Sequence, residues 1–442
     1  RAAPAPQMAV TGFEPLAGSK PGAQGSVRLP EGQALPAVPG ELIVGREAGK
    51  ALPAFDGAVV AQTLFLARSY DLVRVPAGQE AEAMAFYSRA PGVTSVVRNQ
   101  VIEPHALPSA DPLLPYQWQY GSDGSDVFSG WAAIDAGIGL ALSNVNVAVV
   151  DSGVDPSHPD LSPGVVGGFL TTTALDKVTA PSTTTFEAAI DDHGTLVAGV
   201  IAARRNSIGN AGVAPGVRIV PLKDAQPTTG TITTLGLLNA ITIAAYYNQA
   251  DSPYAWLKNV GNGSPVAVCN ISQGIPGSLG VQAAYQDAID NAVAHGVAVV
   301  VSVGNEASEP TVPSNSPSAI AVSVTMRYLG WELLAPYSNH GDPVFVSGPG
   351  NMIWSTSRST GGDYTKAYKL FNGTSAAAPF VSATLALIHA KYVGSTTPRD
   401  RALVARLKEK LRTSVDDLGP GGWDPQFGWG RVNIRKALSG TF

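Results

Sequence analysis

Residues 147–161 read VAVVDSGVDPSHPDL, and this segment decides the fold class. It begins with four consecutive apolar residues and then places Asp151 at the end of the run. An uninterrupted apolar run favours a strand covered on both faces, as in a parallel sheet flanked by helices. A carboxyl group directly after such a strand is costly to bury unless it has partners. Asp151 is therefore a candidate functional residue at the carboxyl end of a central strand.

Similar apolar runs alternate with helical patterns over the rest of the chain. The predicted strands are 145–150, 217–222, 266–272, 297–303 and 319–324. The predicted helices are 194–203, 233–248, 281–295, 375–392 and 398–412. For the last helix, Thr397 is the expected N-cap and Pro398 the first helical residue. This alternation predicts an α/β domain with a central, mostly parallel sheet.

Composition excludes several classes of protein. Of the 442 residues, 45% are hydrophobic and 14% charged, whereas disordered chains and coiled coils carry many more charges. The formal net charge is −5, so we expect no nucleic acid or anionic membrane as a partner. Cys269 is the single cysteine, which excludes an intramolecular disulfide. No apolar run reaches the roughly 18 residues of a membrane span.

The first 115 residues differ from the α/β domain. Residues 1–40 contain seven prolines and six glycines, which is typical of a flexible arm. Residues 41–104 predict a small α+β module of β–β–α–β order. Four prolines between positions 104 and 115 mark residues 105–115 as an exposed linker. The α/β domain then occupies residues 116–442.

Two further segments carry reactive side chains. DDHGTLVAGVIAA (191–203) places His193 before a helix of small residues, and FNGTSAAAPFVSATLALI (371–388) places Ser375 at a helix start. Nucleophilic acyl transfer needs a serine, an imidazole that takes its proton and a carboxylate that orients the imidazole. It also needs donors for the oxyanion, and Asn305 in SVGNEAS (302–308) follows a strand where its amide can reach a site.

Together these segments resemble the subtilisin-like serine proteases, or subtilases. The order is Asp…His…Ser, with separations of 42 and 182 residues, and the resemblance covers about residues 111–437. It implies a three-layer catalytic domain in which Ser375 is the nucleophile and His193 the general base and then acid. It further implies that Asp151 orients His193, and that Asn305 and the N–H of Ser375 form the oxyanion hole.

The resemblance also implies where a polypeptide substrate binds. The peptide would lie as an extended strand between two segments of the chain. The implied binding residues are Gly230, Thr231, Ile232, Ser272, Gln273 and Gly274. Ser302, Val303 and Gly304 would wall the pocket for the side chain before the scissile bond.

A propeptide and a calcium site are implied by the same resemblance. Residues 41–104 are similar to ferredoxin-like propeptides that assist folding and inhibit their own enzyme, so we expect a zymogen that cleaves itself within 104–110. RRNSIGNAGVAP (204–215) resembles a structural calcium loop, and oxygen ligands suit Ca²⁺. The implied ligands are the side chains of Asp111, Asp160 and Asn206 and the carbonyls of Arg204, Ile208 and Asn210. Catalysis itself needs no cofactor, and we expect a secreted monomer.

Other interpretations stay open for these residues. Ser375 is also a plausible helix N-cap, Asp151 a strand-end aspartate and Asn305 a turn residue. A catalytically silent binding protein of subtilase fold is the main alternative function. A serine-carboxyl peptidase of related fold, with glutamate as its base, is a third hypothesis. His193 argues against that class, which lacks the histidine, and activity at neutral pH would separate the two.

Overall fold

The computed structural model describes two compact units, divided between residues 106 and 107. The described residues are 37–47, 49–65, 69–76, 78–100, 111–135, 142–162, 164–173, 175, 191–275, 277, 280–359 and 362–442. Residues 1–36 of the predicted arm therefore lie outside the described residues. The predicted self-cleavage segment 104–110 also lies outside them.

The smaller unit is one antiparallel sheet with one helix. Its elements are β1 (Ala37–Arg46), β2 (Val59–Phe65), β3 (Ser69–Arg74), α1 (Glu80–Ser88) and β4 (Val93–Gln100). The strand order is β2-β3-β1-β4, and every pairing is antiparallel. Its buried core includes Leu42 and Val44 of β1, Val73 of β3, and Ala83 and Tyr87 of α1.

Two expectations for this unit need correction. Strand β1 starts at Ala37, so the predicted boundary at residue 40 falls inside a strand that pairs with β4. The observed order is β–β–β–α–β rather than β–β–α–β. The described residues between β1 and β2 contain no helix, whereas a ferredoxin-like βαββαβ pattern has one there.

The larger unit is built on a ten-stranded sheet. Its strands are β5 (Asn146–Asp151), β6 (Phe169–Leu170), β7 (Arg218–Lys223), β8 (Val266–Ile271), β9 (Ala298–Ser302), β10 (Ile320–Tyr328), β11 (Trp331–Leu334), β12 (Val344–Pro349), β15 (Val415–Asp416) and β16 (Arg431–Val432). Their order is β15-β16-β12-β10-β9-β8-β5-β7-β6, with β11 paired to β10. The pairings are parallel except those of β11 and β15. The remaining strands, β13 (Ile353–Thr356) and β14 (Tyr368–Phe371), form a separate antiparallel hairpin.

Helices cover the sheet, as its apolar runs predict. They are α2 (Val127–Asp135), α3 (His193–Ala202), α4 (Thr234–Tyr246), α5 (Gln282–Ala294), α6 (Thr374–Tyr392), α7 (Arg401–Arg412) and α8 (Ile434–Ala437). Helix α6 is buried almost continuously from Ala376 to Ile388, because small residues such as Ala376 and Ala377 let it pack closely against the sheet. None of the helices in the described ranges is both long and apolar enough to cross a bilayer.

The predicted start of α7 is wrong, and so is the predicted start of the larger unit. Asp400 caps α7, since its carboxylate accepts the Leu403 N–H at 2.9 Å, whereas the Thr397 hydroxyl accepts the Gly394 N–H at 3.2 Å. An ionised carboxylate is the stronger acceptor for a free helix N–H. Residues 111–115 belong to the larger unit rather than to a linker, because the Asp111 carboxylate accepts backbone N–H groups from 206 and 207.

Candidate active site

Asp151 and His193 meet at the carboxyl end of β5. Asp151 is the last residue of β5, and His193 is the first residue of α3. Nδ1 of His193 lies 2.9 Å from Oδ1 and 3.0 Å from Oδ2 of Asp151. Asp151 is 2% exposed, and the Ser152 N–H donates to its Oδ1 at 2.7 Å. The contact assigns the proton of the neutral ring to Nδ1, which leaves Nε2 as the acceptor.

A second carboxylate, that of Asp191, holds the backbone around this pair. Oδ1 of Asp191 accepts the Ser152 hydroxyl at 2.5 Å and the His193 N–H at 3.0 Å. The Ser152 hydroxyl oxygen in turn accepts the Gly194 N–H at 3.2 Å. These bonds join the segment after β5 to the first turn of α3, so Asp191 helps to fix His193 opposite Asp151.

His193 also contacts the hairpin that leads to Ser375. The Phe371 ring meets the imidazole edge-on, with centroids 5.4 Å apart. Lys369 of the same strand, β14, pairs with Asp192 at 2.5 Å. Since the hairpin residues contact His193 and its neighbour, the hairpin restricts the orientation of the ring.

The charges around His193 make its ring more basic than usual. Burial disfavours the imidazolium, but the charge and hydrogen bond of Asp151 outweigh burial and raise the pKa of His193 to about 9. The charges of Asp191 and Asp192 act in the same direction. An ordinary histidine has a pKa near 6.5.

Ser375 is the second residue of α6 and sits beside the end of β8. The turn that presents it uses Gly373, whose φ of +117° is a conformation that side chains with a Cβ rarely adopt. The Ser375 hydroxyl donates to the Ser272 carbonyl at 3.0 Å, and the Ser272 hydroxyl donates to the Ser375 carbonyl at 3.1 Å. The nucleophile candidate is thus tied to the segment that follows β8.

Asn305 is anchored beside Ser375 through its amide oxygen. Its Oδ1 accepts the Thr374 N–H at 2.9 Å and the Thr374 hydroxyl at 3.1 Å. These two donors assign the orientation of the amide. Within the described part of the chain Nδ2 makes no hydrogen bond, so it can donate to a ligand next to Ser375.

The implied substrate residues form two edges and a buried segment. Ala225 bridges Ile232 on one edge, where Thr231 and Ile232 are exposed, and Ile275 bridges Val312 on the other edge. Ser302 and Val303 are 3% and 0% exposed, and the Val303 side chain packs into an apolar cluster. Val303 can therefore wall a pocket only through its backbone. The pocket residues stay a prediction.

The implied metal ligands lie around one loop. Asp111 Oδ1 accepts the N–H groups of Asn206 and Ser207 at 3.0 and 2.6 Å. Asp160 is fully buried, and neither of its carboxylate oxygens has a hydrogen-bond partner at normal geometry. Oδ1 of Asn210 is also buried without a partner. Burial raises the pKa of Asp160 to about 7, against the opposing effect of Tyr368 and Asn206 nearby.

His158 holds the turn before Asp160. Its Nδ1 accepts the Asp160 N–H at 3.2 Å, and its Nε2 lies 3.0 Å from the Ala367 carbonyl. Its ring lies edge-on to Tyr364 and Tyr368. The turn that carries Asp160 is therefore packed against the segment that leads into β14.

Sequence reasoning missed three features of the site. Asp191 precedes His193 by two residues, and that proximity was the one signal available. The other two features join positions that are distant in sequence. Lys369 pairs with Asp192, and the N–H of the buried Asp224 donates to the Asp151 carbonyl. Nothing in either local pattern indicates the other partner.

Comparison with known proteins places the chain in a family. The sequence model of the subtilase family matches residues 143–430. An extracellular protease of Xanthomonas campestris pv. campestris is 31% identical over an alignment of 425 residues. The match covers 89% of this chain and 68% of that protein. Subtilisin E of Bacillus subtilis is 32% identical over 68% of this chain and 67% of its own length. Fervidolysin of Fervidobacterium pennivorans is 31% identical over 67% of this chain, but the match spans 41% of fervidolysin.

Solved structures give the same fold. The crystal structure of fervidolysin superposes with a TM-score of 0.59 at 23% identity, covering 93% of this chain and 62% of that one. A protease of Pseudoalteromonas arctica gives a TM-score of 0.59 at 24% identity, covering 75% of this chain and 98% of that one. The predicted α/β fold with its mostly parallel sheet is confirmed. The chain belongs to the subtilase family of serine endopeptidases.

Proposed function

We propose that this chain cleaves polypeptides through an acyl-enzyme on Ser375, with His193 and Asp151 completing a catalytic triad. The observation that carries the proposal is the contact of His193 Nδ1 with both carboxylate oxygens of Asp151. Ser375 lies at the start of a helix shortly after Phe371, whose ring contacts the His193 ring. A carboxylate on Nδ1 leaves Nε2 to accept a proton, which is the task of a general base.

The reaction follows from the atoms at the site. The Ser375 side chain leaves the Ser272 carbonyl and transfers its proton to His193 Nε2 as Oγ attacks the substrate carbonyl. Asp151 stabilises the imidazolium that forms, and Nδ2 of Asn305 and the N–H of Ser375 donate to the oxyanion. His193 then protonates the leaving amine, and water releases the acyl group by the same steps in reverse order.

The substrate is an extended polypeptide. It would pair with the edge at 230–232, which is exposed at Thr231 and Ile232, and with the edge at 272–274, which is tied to Ser375 through Ser272. Gly230 and Gly274 would bring the backbone close to the substrate, and Gly304 would line the pocket for the side chain before the scissile bond through its backbone. The backbone groups of Ser302 and Val303 contribute to the same wall.

The smaller unit supports a zymogen. Its four-stranded antiparallel sheet with one packed helix precedes the subtilase domain, in the place where propeptides of the family stand. We propose that it assists folding, inhibits the enzyme and is released by a cut within 104–110. We also propose export from the cell, supported by the Xanthomonas relative, which is named an extracellular protease.

The rate of peptide hydrolysis should depend on pH through His193. Because the folded site raises the pKa of His193 to about 9, the ring is protonated and inactive as a base at lower pH. We expect kcat/KM to rise about tenfold per pH unit on the acid side, with a midpoint near 9 rather than 6.5. Stopped assays on a peptide p-nitroanilide between pH 5 and 11 measure the profile.

This profile separates the three functions considered. A silent binding protein gives no hydrolysis at any pH, and a serine-carboxyl peptidase gives its maximum in acid. As a control, Asp191→Asn should lower the midpoint because it removes a charge that raises the pKa of His193, whereas Asp290→Asn on α5 should leave it unchanged.

We further propose that the loop at 204–210 binds Ca²⁺. Among the described residues no three His, Cys, Asp or Glu side chains are grouped as metal ligands, so the site would rest on two carboxylates, one amide and backbone carbonyls. Those oxygens suit Ca²⁺, and the buried carboxylate oxygens of Asp160, which have no hydrogen bond of standard geometry, fit a cation. Asp111, Asn206 and the carbonyls of 204, 208 and 210 would complete the shell. The Arg205 guanidinium does not oppose it, because it pairs with Asp135 at 3.0 Å and lies over Trp131.

Removing calcium should lower the thermal stability of the folded enzyme. A ligand present at about 1,000 times its Kd stabilises by about 4 kcal/mol, which corresponds to a Tm change of about 6 °C for a domain of this size. Differential scanning calorimetry of the Ser375→Ala variant avoids self-digestion. The two buffers to compare contain Ca²⁺ at about 1,000 times its Kd and an excess of EDTA. Asp160→Asn should show the low Tm in both buffers, and an equal response of that variant to EDTA would contradict the site.

A further inference from the structure

A buried hydrogen bond joins the two edges that flank the active site. Asp224 follows β7 directly and is fully buried, and Nε2 of Gln273 donates to its Oδ2. Gln273 lies two residues after β8, so the bond connects segments 49 positions apart in the chain. Neither residue contacts the catalytic groups through its side chain, and the mechanism above does not use this bond.

Each residue is continuous with one edge of the cleft. Asp224 precedes Ala225, which bridges Ile232. Gln273 lies between Ser272, whose carbonyl accepts the Ser375 hydroxyl, and the Gly274–Ile275 edge that bridges Val312. The Asp224–Gln273 bond therefore links the two backbone segments on which an extended substrate would be held.

The surroundings of Asp224 favour its neutral form. Its Oδ1 is buried without a hydrogen-bond partner, and its N–H donates to the Asp151 carbonyl at 3.2 Å. Burial, with the charge of Asp151, raises the pKa of Asp224 well above its ordinary value. The titratable and charged groups that face it are Asp151 of β5, Cys269 of β8 and its chain neighbour Lys223 of β7. From α4, Gly236 packs against Asp224 and brings no charge.

We propose that Asp224 acts as a positioning residue for proteolysis, holding Gln273 so that the two edges keep the spacing a peptide strand requires. The proposal rests on the proposed peptidase function of this cleft. A neutral acid suits the task, because it supplies the acceptor for Gln273 without placing a second negative charge beside Asp151.

Binding of long substrates should depend on this bond more than the chemical step does. We expect Asp224→Ala and Gln273→Leu each to raise KM for a tetrapeptide p-nitroanilide about tenfold while kcat changes by less than about threefold. KM for a blocked single-residue p-nitrophenyl ester, which does not span the edges, should change less than about twofold. Asp224→Asn keeps an acceptor for Gln273 and should restore the tetrapeptide KM to within about twofold of the wild-type value.

Controls separate positioning from folding and from charge. Leu407→Ala creates a cavity under α7, outside the cleft, and should lower the Tm without raising the tetrapeptide KM. Asp224→Asn should leave the pH midpoint of kcat/KM unchanged, since no charge is lost. A fluorophosphonate titration of active sites normalises every variant for folded enzyme, and Gln273→Leu carries the test if Asp224→Ala does not fold.

Several results would overturn the proposal. Wild-type KM in both Asp224→Ala and Gln273→Leu would show that the bond does not position substrate. A raised KM in Asp224→Asn equal to that of Asp224→Ala would deny the role of the acceptor, and a lowered pH midpoint would show that Asp224 is charged. A wild-type enzyme that hydrolyses neither substrate would instead contradict the proposed peptidase function.

Discussion

Replacement of Ser375 by alanine is expected to lower kcat/KM for peptide hydrolysis by about 10⁴- to 10⁶-fold. In the proposed triad the three groups act as one unit, so the expected loss is large. Without Oγ, His193 has no proton to accept from Ser375, and its contact with Asp151 contributes nothing to the remaining reaction. The residual rate would reflect binding and the oxyanion donors, Asn305 among them.

The same variant tests self-processing. If the chain cuts itself within 104–110, the wild-type preparation should show two fragments by intact-mass spectrometry, and the Ser375→Ala preparation should show one chain of 442 residues. A fluorophosphonate should label the wild-type enzyme at Ser375 and leave the variant unlabelled. Cleavage of the variant's own chain at an equal rate would assign the cut to another protease.

A matched control lies two turns further along the same helix. Ser382 is buried in α6, and its hydroxyl donates to Asn270 at 2.8 Å. Ser382→Ala should cost about 1 kcal/mol of stability through the lost hydrogen bond, yet keep peptidase activity and labelling. Peptidase activity of Ser375→Ala within tenfold of the wild-type value would refute the triad.

Residues close in sequence were predicted well because their patterns have a direct physical cause. Continuous apolar runs indicate strands buried on both faces, and β5, β7, β8 and β9 lie within one residue of their predicted bounds. The start of α6 was predicted within one residue because small residues follow Ser375 in a helical pattern. The site candidates Asp151 and Ser375 stand at a strand end and a helix start, as their local sequence patterns predicted.

Long-range partners were not predictable in the same way. Lys369 pairs with Asp192 across 177 positions, and nothing in either local sequence names the other. The hairpin of β13 and β14 depends on pairing between separate segments, so short apolar runs alone did not reveal it. The α7 cap was predicted wrongly for another reason, because Thr397 and Asp400 are both acceptable N-caps and the carboxylate of Asp400 is the stronger acceptor.

Substitution of Gly194 by alanine is the second change with a large expected effect. Gly194 follows His193 in the first turn of α3, where a Cβ would lie 2.2 Å from the Gly153 carbonyl and 3.0 Å from the Asp151 Cβ. The first of these contacts is with backbone, which cannot rotate away. The helix start must therefore move away from β5, and the movement separates His193 from Asp151.

The expected result is a loss of activity greater than the loss of stability explains. A displacement of about 1 Å at a catalytic group costs on the order of 10²-fold in rate, and overpacking costs about 1–3 kcal/mol of folding free energy. The pH profile of the residual activity gives a more specific signature. Because the charge and hydrogen bond of Asp151 raise the pKa of His193, a weaker contact should move the acid-side midpoint from about 9 toward lower pH.

Two other glycines provide the comparison that isolates this effect. Gly199 lies in the same helix, and its added Cβ would meet Thr356 Oγ1 at 2.2 Å, away from Asp151, so Gly199→Ala should lose stability without moving the pH midpoint. Gly421 has no atom within 4 Å of its added Cβ, so Gly421→Ala should change neither quantity. A Gly194→Ala enzyme with the wild-type rate and midpoint would show that the close approach of α3 to β5 does not set the His193–Asp151 contact.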